Sequence, residues 1–383
     1  MSLHNHFNYI IIGNGLAGLQ LAIELSNDPF FDDKQIALID KSQKDTNDKT
    51  WCFWEKGYGK WDSVVSNTWD SALFYSSKKK IDLNLEPYTY KMVRSIDFYK
   101  QAKSILSQKN NIHFIIDDVI CVEEKKPVVV TTKKGLYTAD HVFDSRINPD
   151  FFNKKNNYIR INQHFKGWII ESETDVFNTH SFTMMDYRLK DGEQTAFTYV
   201  LPFSKTKALI EFTYFTPHLV GDSVYNKYLK QYISDVLNIE TYTVLEVETG
   251  NIPMTNFPFS KESSEHITKI GTAGGWIKGS TGYSFKHTEK KVAKIIGNLK
   301  QNNMPSKGLY NTRHTFYDAV FLNVLKNNND KGEWIFEQFY SKNTIETMFR
   351  FLDDESSFSE DFKIMQSLFS VPFIKAFFKT LLF

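Results

Sequence analysis

Phe7-Asn8-Tyr9-Ile10-Ile11-Ile12-Gly13-Asn14-Gly15-Leu16-Ala17-Gly18 is the stretch whose reading decides the fold. Phe7 to Ile12 is a short apolar run that stops at glycine, the pattern of a parallel strand buried on both faces. From Leu16 to Leu25 the apolar residues recur at helical spacing. Gln35 to Ile39 reads as a second buried strand, and it ends at Asp40. Together they form a βαβ unit with G-x-G-x-x-G in its first turn. Gly13 permits the tight turn, Gly15 lets a pyrophosphate approach the backbone, and Gly18 lets the helix pack on the strand. Leu16 and Ala17 begin a helix whose N-terminus faces the phosphates. Asp40 stands where a carboxylate accepts hydrogen bonds from ribose hydroxyls. Gly13, Gly15, Leu16, Ala17, Gly18 and Asp40 are therefore expected to bind a dinucleotide. Glycines of an ordinary βα turn would leave Asp40 unexplained.

Working outward, Trp51 to Glu86 reads as irregular and aromatic-rich, and Ile96 to Gln108 as a helix. Short strands follow from Ile112 to Ser145, among them Val128 to Thr132 and His141 to Phe143. A polar, Asn-rich linker spans Asn148 to Asn157. Beyond it Gln163 to Ile170, Phe182 to Met185, Ala196 to Phe203 and Ala208 to Phe215 look like strands of a second sheet. A helix is expected over Val224 to Leu237. Gly271 to Gly282 is a glycine-rich loop, a helix runs from Phe285 to Leu299, and the remainder looks helical.

An NAD dehydrogenase usually continues with further βαβ repeats; here a second glycine-rich loop appears far downstream, which favours a flavin. Ile270-Gly271-Thr272-Ala273-Gly274-Gly275 resembles the second loop of flavin enzymes, where the amides of Gly271, Thr272, Gly274 and Gly275 meet the pyrophosphate and ribityl chain. Ser280-Thr281-Gly282-Tyr283 starts the next helix and aims its N-terminus at the isoalloxazine. The expected fold is α/β: a Rossmann-type FAD-binding domain of the glutathione-reductase kind, with an inserted antiparallel-sheet substrate domain and a helical C-terminus. The expected segments are 1–150 (first part of the FAD domain), 151–260 (substrate sheet), 261–300 (return of the FAD domain) and 301–383 (helical region).

With 383 residues the chain is long for one core and calls for two lobes. Lys+Arg 46 against Asp+Glu 45 leaves +1, so no long-range field draws it to nucleic acid. Two cysteines, Cys52 and Cys121, and no signal-peptide pattern point to a reducing cytoplasm rather than a disulfide scaffold. No apolar stretch is long enough for a transmembrane helix, and no metal is expected. The aromatic content of 15% fits a Phe-rich core or a large apolar cavity. Near the end, Phe373, Phe377 and Leu381 form one row at i, i+4 spacing and Ile374, Phe378 and Leu382 the next, with Lys375 and Lys379 to one side. Such a helix lies on a membrane surface or packs on the core.

Between Tyr9 and Phe285 the sequence resembles the flavin-dependent lycopene β-cyclases of bacteria and plants, in a series of segments in family order. These are Asn47-Asp48-Lys49-Thr50-Trp51-Cys52-Phe53-Trp54-Glu55, Gln163-His164-Phe165-Lys166-Gly167-Trp168, Met185-Asp186-Tyr187-Arg188, Leu201-Pro202-Phe203-Ser204, Ala208-Leu209-Ile210-Glu211-Phe212-Thr213 and Gly250-Asn251-Ile252-Pro253-Met254, with the 271–285 loop. Three positions depart from the family: Phe212 where a second acid is frequent, Gly279 where proline is common, and Arg146 where many relatives have glycine.

The resemblance implies closure of the acyclic ends of lycopene into β-ionone rings. The reaction neither gains nor loses atoms: a proton adds, a ring closes on the cation, and a proton leaves. Reduced FAD is implied as a cofactor that is not consumed, with NAD(P)H as external reductant. Glu211 is the implied catalytic acid, because a carboxyl among apolar neighbours stays protonated. Asp186 is a second carboxylate or a structural cap. Trp51, Trp54, Trp168, Tyr187 and Trp276 are candidates for the aromatic walls around a cation, each also explicable as packing. Arg94 is a candidate FAD contact or a surface arginine. The implied partners are lycopene and partly cyclised carotenoid, a peripheral membrane surface, and other carotenoid enzymes. A flavin monooxygenase or isoprenoid reductase would share the nucleotide site but has no use for a buried acid at Glu211. A non-catalytic carotenoid or lipid carrier would not need Gly13, Gly15, Gly18 and Asp40 intact.

Overall fold

The computed structural model describes residues 5–153 and 157–382, so the middle of the linker expected over Asn148 to Asn157 lies outside the described residues. One sheet has the order Ile112–Ile116, Ile36–Asp40, His6–Ile12, Leu136–Asp144, Val128–Thr132, Val119–Glu123, and Ile267–Lys269 pairs alongside Leu136–Asp144. The neighbours of His6–Ile12 run parallel to it. Ile11 packs beneath the helices Leu16–Asn27, Ser95–Leu106 and Phe285–Lys300, with Leu19, Ile23, Phe98, Ala102 and Ile295. Ile10 and Ile12 face the opposite core with Val130, Ala139 and Val142. Burial on both faces is why this strand reads as an unbroken apolar run.

The second sheet has the order Tyr242–Thr255, Arg160–Ser172, Lys207–Thr216, Ala196–Pro202, Ser181–Asp186, Ser71–Tyr75, Lys80–Asn84. All its neighbours are antiparallel except Ser181–Asp186 with Ser71–Tyr75. The strand Lys207–Thr216 divides its residues cleanly. Ala208, Ile210, Phe212 and Tyr214 pack under the helix Asp222–Gln231 with Tyr225, Tyr228 and Leu229. Leu209, Glu211, Thr213 and Phe215 face the other way, as a period of two requires.

Three expectations need correction. Trp51 to Glu86 is not irregular: it holds Thr50–Lys56, Val65–Trp69, Ser71–Tyr75 and Lys80–Asn84. Thr50–Lys56 and Val65–Trp69 flank Tyr88–Arg94 in a small antiparallel sheet. Most of these strands are five residues long, and a register shift between Val65 and Asn67 breaks the alternation that would reveal one of them. The other two strands complete the second sheet, so a substrate region of 151–260 omits part of that sheet. The fourteen-residue strand Tyr242–Thr255, its far edge, was not expected as a strand. The helix expected over Val224 to Leu237 is Asp222–Gln231, continued by a π-helical turn Tyr232–Val236.

The C-terminal region forms five helices, Thr312–Asn327, Gly332–Lys342, Ile345–Leu352, Phe358–Ser367 and Val371–Leu381. They cover the second sheet on the face away from the helix Asp222–Gln231. Buried Lys278 ties them to the glycine-rich loop through Asp318 at 3.0 Å and Asp354 at 2.7 Å. Burial works to lower the Lys278 ammonium, but the two carboxylates outweigh it and keep the cation charged.

Candidate active site

The first strand ends in a turn that only glycine can make. Gly13 has φ +98°, and a Cβ there would lie 2.0 Å from Ser145 Oγ. A Cβ at Gly18 would lie 2.0 Å from the Gly13 carbonyl oxygen, so the close seat of helix on strand requires that glycine too. Gly15 differs: nothing lies within 4 Å of its Cβ position. No side chain caps the helix Leu16–Asn27 at Gly15, which leaves its first N–H groups directed at that open space. Asp40 accepts the Asn14 N–H at 2.7 Å and the Ser42 N–H at 2.8 Å, fixing the turn to the second strand. Opposite, Gly271 has φ +59°, and a Cβ there would lie 3.3 Å from the Ala17 methyl.

A cavity of about 1000 Å³ starts at these two turns and runs along the second sheet to the last two helices, at the top of the range of about 300–1,000 Å³ for small-molecule sites. Gly13, Gly15, Leu16, Ala17, Gly18, Gly271, Thr272, Thr281, Gly282, Trp51 and Trp276 line its first part and Glu211 its middle. Buried polar atoms on its wall, among them Gln163 Oε1, Trp276 Nε1 and Thr281 Oγ1, have no hydrogen-bond partner within the protein. Beyond Glu211 the wall is apolar, with Phe197, Phe215, Phe336, Phe339, Phe373 and Phe377.

In the middle, four paired residues stand in line across four strands: Glu248, Gly167, Glu211 and Tyr199. Directly paired residues share a face, so the two glutamates flank a glycine with no side chain between them. A Cβ at Gly167 would lie 3.2 Å from Glu248 Cγ and 3.5 Å from Glu211 Cβ. The Thr213 hydroxyl donates to Glu211 Oε1 at 2.6 Å, and the Thr50 hydroxyl to Glu248 Oε2 at 2.8 Å. Burial, and then the neighbouring Glu248, push the Glu211 carboxyl up to about 8. Burial also raises Glu248, while Thr50, Arg94 and Lys49 work against the rise. Next to the pair, the Tyr90 hydroxyl lies 3.0 Å from those of both Tyr199 and Tyr283. Burial pushes the nearby Cys52 thiol up to about 12, so it stays neutral.

Several candidates from the sequence stand off the cavity. Asp186 is fully buried on the helix side of its strand, held by Arg188 Nε at 3.0 Å and by the Tyr232 hydroxyl at 2.7 Å. Its place is that of a structural cap. Trp168 follows Gly167, so alternation turns it to the opposite face against Ile210 and Tyr228. Tyr187 is packed among Phe74, Phe197 and Phe336. Trp54 stacks on Phe349 with centroids 4.4 Å apart and donates to Asp353 at 2.9 Å. Arg94 is paired with Glu246 at 2.8 Å. Gly274 is pressed against the Lys269 carbonyl oxygen, and Gly275, in the left-handed conformation, against Phe259; both shape the loop without lining the cavity.

Two of the three departures also find reasons. Phe212 stacks on Tyr228 on the far face, centroids 4.8 Å apart, so an acid at 212 would not reach the cavity. Arg146 binds Asp144 through Nε and Nη2, both at 3.0 Å. Burial works to raise Asp144, but Arg146 and Lys269 outweigh it and hold the carboxyl below the usual range. Sequence reasoning missed Glu248, Gly167, Gln163, Tyr90, Tyr199 and Tyr283. For Glu248 a signal existed in the alternation Leu245-Glu246-Val247-Glu248, the mark of a strand with one polar side.

The fold and site define a Rossmann-type flavoprotein architecture whose cavity joins a dinucleotide turn to an apolar tunnel. Solved structures share it, three of them as follows. A geranylgeranyl bacteriochlorophyll reductase-like protein from Thermoplasma acidophilum is 11% identical with a TM-score of 0.62, over 98% of this chain and 99% of that one. A flavoprotein/dehydrogenase from Cytophaga hutchinsonii is 10% identical with a TM-score of 0.65, over 98% and 99%. The halogenase PltM, in a complex with FAD, is 11% identical with a TM-score of 0.55, over 90% and 78%. At such identities the likeness is one of fold. No curated protein sequence matches. The profile of the family described as lycopene cyclase protein matches residues 8–377. The chain belongs to the lycopene cyclase family.

Proposed function

We propose that this protein is a lycopene β-cyclase that closes the acyclic ends of lycopene by acid-initiated, non-redox chemistry. The observation that carries the reading is Glu211: a buried carboxyl, neutral at pH 7, in the wall of a long cavity that is apolar beyond it. Glu211 holds a proton where water is excluded, Thr213 fixes one of its oxygens, and the other is left to face an alkene. Leu209, Phe215 and Phe197 shape a channel for a polyene. Trp51 and Trp276 stand nearer the dinucleotide turns than the apolar tunnel does.

FAD fits the dinucleotide end. Gly15 opens onto free space at an uncapped helix N-terminus, and the unpartnered Gln163, Trp276 and Thr281 atoms offer it hydrogen bonds. Bound there and reduced, with NAD(P)H as the external source of electrons, the flavin would supply an electron-rich ring that favours a developing cation. The test is expression in a bacterium that accumulates lycopene. The expected result is a shift from red to orange-yellow pigment with β-carotene on chromatography; unchanged lycopene in cells that make the folded, flavin-loaded protein sinks the reading.

Lycopene must reach the cavity from a lipid phase, and the far end of the cavity supplies the entry. No helix among the described residues is long and apolar enough to cross a membrane. The helix Val371–Leu381 seats Ala376 and part of Phe373 on the core. It leaves Phe378 59%, Leu381 63% and the following Leu382 83% exposed. Phe358, Phe362 and Phe369 are exposed as well, and Phe369, Phe373 and Phe377 line the cavity. The reading places the protein at the cytoplasmic membrane surface, where other carotenoid enzymes would pass it their product. Replacing Phe378, Leu381 and Leu382 together by serine is expected to lower partition onto neutral phosphatidylcholine vesicles at least tenfold, roughly the loss of one buried side chain at about 1.5–3 kcal/mol. Unchanged vesicle flotation by the folded variant would refute the docking.

A further inference from the structure

Forming the ring double bond needs a base as well as an acid, and Glu211 supplies only the acid. The second carboxylate on the same wall, Glu248, comes from the far-edge strand Tyr242–Thr255, and it shares a face with Glu211, with only Gly167, which has no side chain, on the strand between them. We propose that Glu248 is the base that takes the departing proton and so decides where the ring double bond forms, an inference that rests on the cyclase reading above.

The two glutamates are not equivalent. Glu211 has one hydrogen-bond partner, the Thr213 hydroxyl, and lies among Leu209, Phe197 and Phe215 on the buried part of the wall. Glu248 accepts from Thr50 and is only half-buried on its edge strand; Thr50, Arg94 and Lys49 favour its charged form against burial and the neighbouring Glu246, which raise it. Two close carboxyls share one proton, and the drier one keeps it. Glu211 is the acid of the pair, and Glu248 the carboxylate.

The step balances without a co-reactant. The Glu211 O–H bond breaks and a C–H bond forms at the terminal alkene, leaving a tertiary cation. A neighbouring double bond supplies the electron pair for the new ring bond, and the charge moves to a ring carbon. A C–H bond next to that carbon breaks, its electrons form the ring double bond, and its proton goes to Glu248. Transfer of that proton across the Gly167 gap to Glu211 restores the pair. Nothing is oxidised or reduced.

The charged ring carbon has three carbon neighbours that bear hydrogen, and each would give a different double-bond isomer. A fixed base on one side selects one of them. Removing it should therefore change the product as well as the rate, which a merely structural glutamate would not do.

The experiment compares parent, Glu248→Gln and Glu248→Asp, each as flavin-loaded protein with the flavin reduced, acting on lycopene in phosphatidylcholine vesicles. Glu248→Gln is expected to lower kcat by about 10²–10⁴, with displaced-double-bond rings in the residual product. Glu248→Asp should keep part of the rate and the parent ring. Parent-like turnover by Glu248→Gln, or a slow variant whose residual product matches the parent's, overturns the proposal. A parent that forms no ring at all overturns the cyclase reading and, with it, this assignment of the base. In that event the pairing itself still stands or falls on the infrared band of the protonated carboxyl that Glu211→Gln removes. Its titration midpoint should fall in Glu248→Gln, and an unchanged midpoint shows that the two carboxyls are not a pair.

Discussion

Glu211→Gln is expected to fold, keep its flavin, and lose lycopene cyclisation by at least the 10²–10⁴ that general acid catalysis is typically worth. The amide matches the carboxyl in size and still accepts from Thr213, so the wall of the cavity is preserved, but it has no proton to give an alkene. Glu248 is a poor substitute acid, since it stands two strands away, across Gly167, on the half-buried edge strand. In the parent, activity should fall as pH rises through about 8, where Glu211 loses its proton. Stability carries the same signature. The folded carboxyl titrates at about 8 against 4.5 ordinarily, so between those values the folded state holds a proton that the unfolded state has released. The stabilising effect of that proton is fully present below about 4.5 and is lost as pH climbs towards 8. Glu211→Gln has no such proton to lose. Its melting temperature relative to the parent should therefore rise between pH 5 and pH 9, a difference calorimetry reads without substrate. Parent-like turnover, or melting curves that keep a constant separation across that range, would contradict the assignment.

Gly15→Val should give a folded, colourless protein. The Gly15 backbone, at φ −86° and ψ −165°, is open to any residue, and nothing stands within 4 Å of the Cβ position. A valine there meets no protein atom and projects into the space where a pyrophosphate would approach the helix N-terminus. Flavin affinity is expected to drop at least 100-fold, or about 2.7 kcal/mol, with a melting temperature close to that of flavin-free parent. Gly18→Val is the contrast: its Cβ would meet the Gly13 carbonyl oxygen at 2.0 Å, and that variant should lose the fold as well as the flavin. Flavin content and circular dichroism on the two variants separate the cases. A yellow Gly15→Val protein with the parent's stoichiometry would remove the dinucleotide assignment.

What the sequence carries on its surface is local. The strand, glycine turn and helix of the first unit are readable because each step is a contact between near neighbours, and Glu211 stands out because an acid inside an apolar strand is rare. The partner of Glu211 was hidden for a physical reason. Glu248, Gly167 and Glu211 are separated along the chain and come together only through the register of three strands, which no single segment specifies. The same register decides the aromatics. Trp168 looked suited to a cation site, yet pairing with Ile210 instead of Glu211 turns it to the helix side. Asp186 has its reason two residues on, in Arg188, but the partner that completes its burial, Tyr232, lies on a distant helix. The exposed row at the C-terminus was visible from periodicity, whereas the seating of Ala376 and Phe373 depended on helices the sequence did not place.

The way the two sheets trade strands has a bearing on how the molecule is made. His6–Ile12 can pair early with Ile36–Asp40, but its other edge waits for Leu136–Asp144, and that strand waits in turn for Ile267–Lys269. Asn8 and Asp140, hydrogen-bonded in the finished protein, are 132 residues apart. At about 5–20 residues per second on the ribosome, an apolar edge carrying Ile10 and Ile11 stays uncovered for on the order of ten seconds. Such an edge invites pairing with other nascent chains. High yields should therefore depend on slow synthesis and on chaperones that shield open strands. A gene cut near residue 150 would give two products that each carry an unfinished sheet, soluble only when made together.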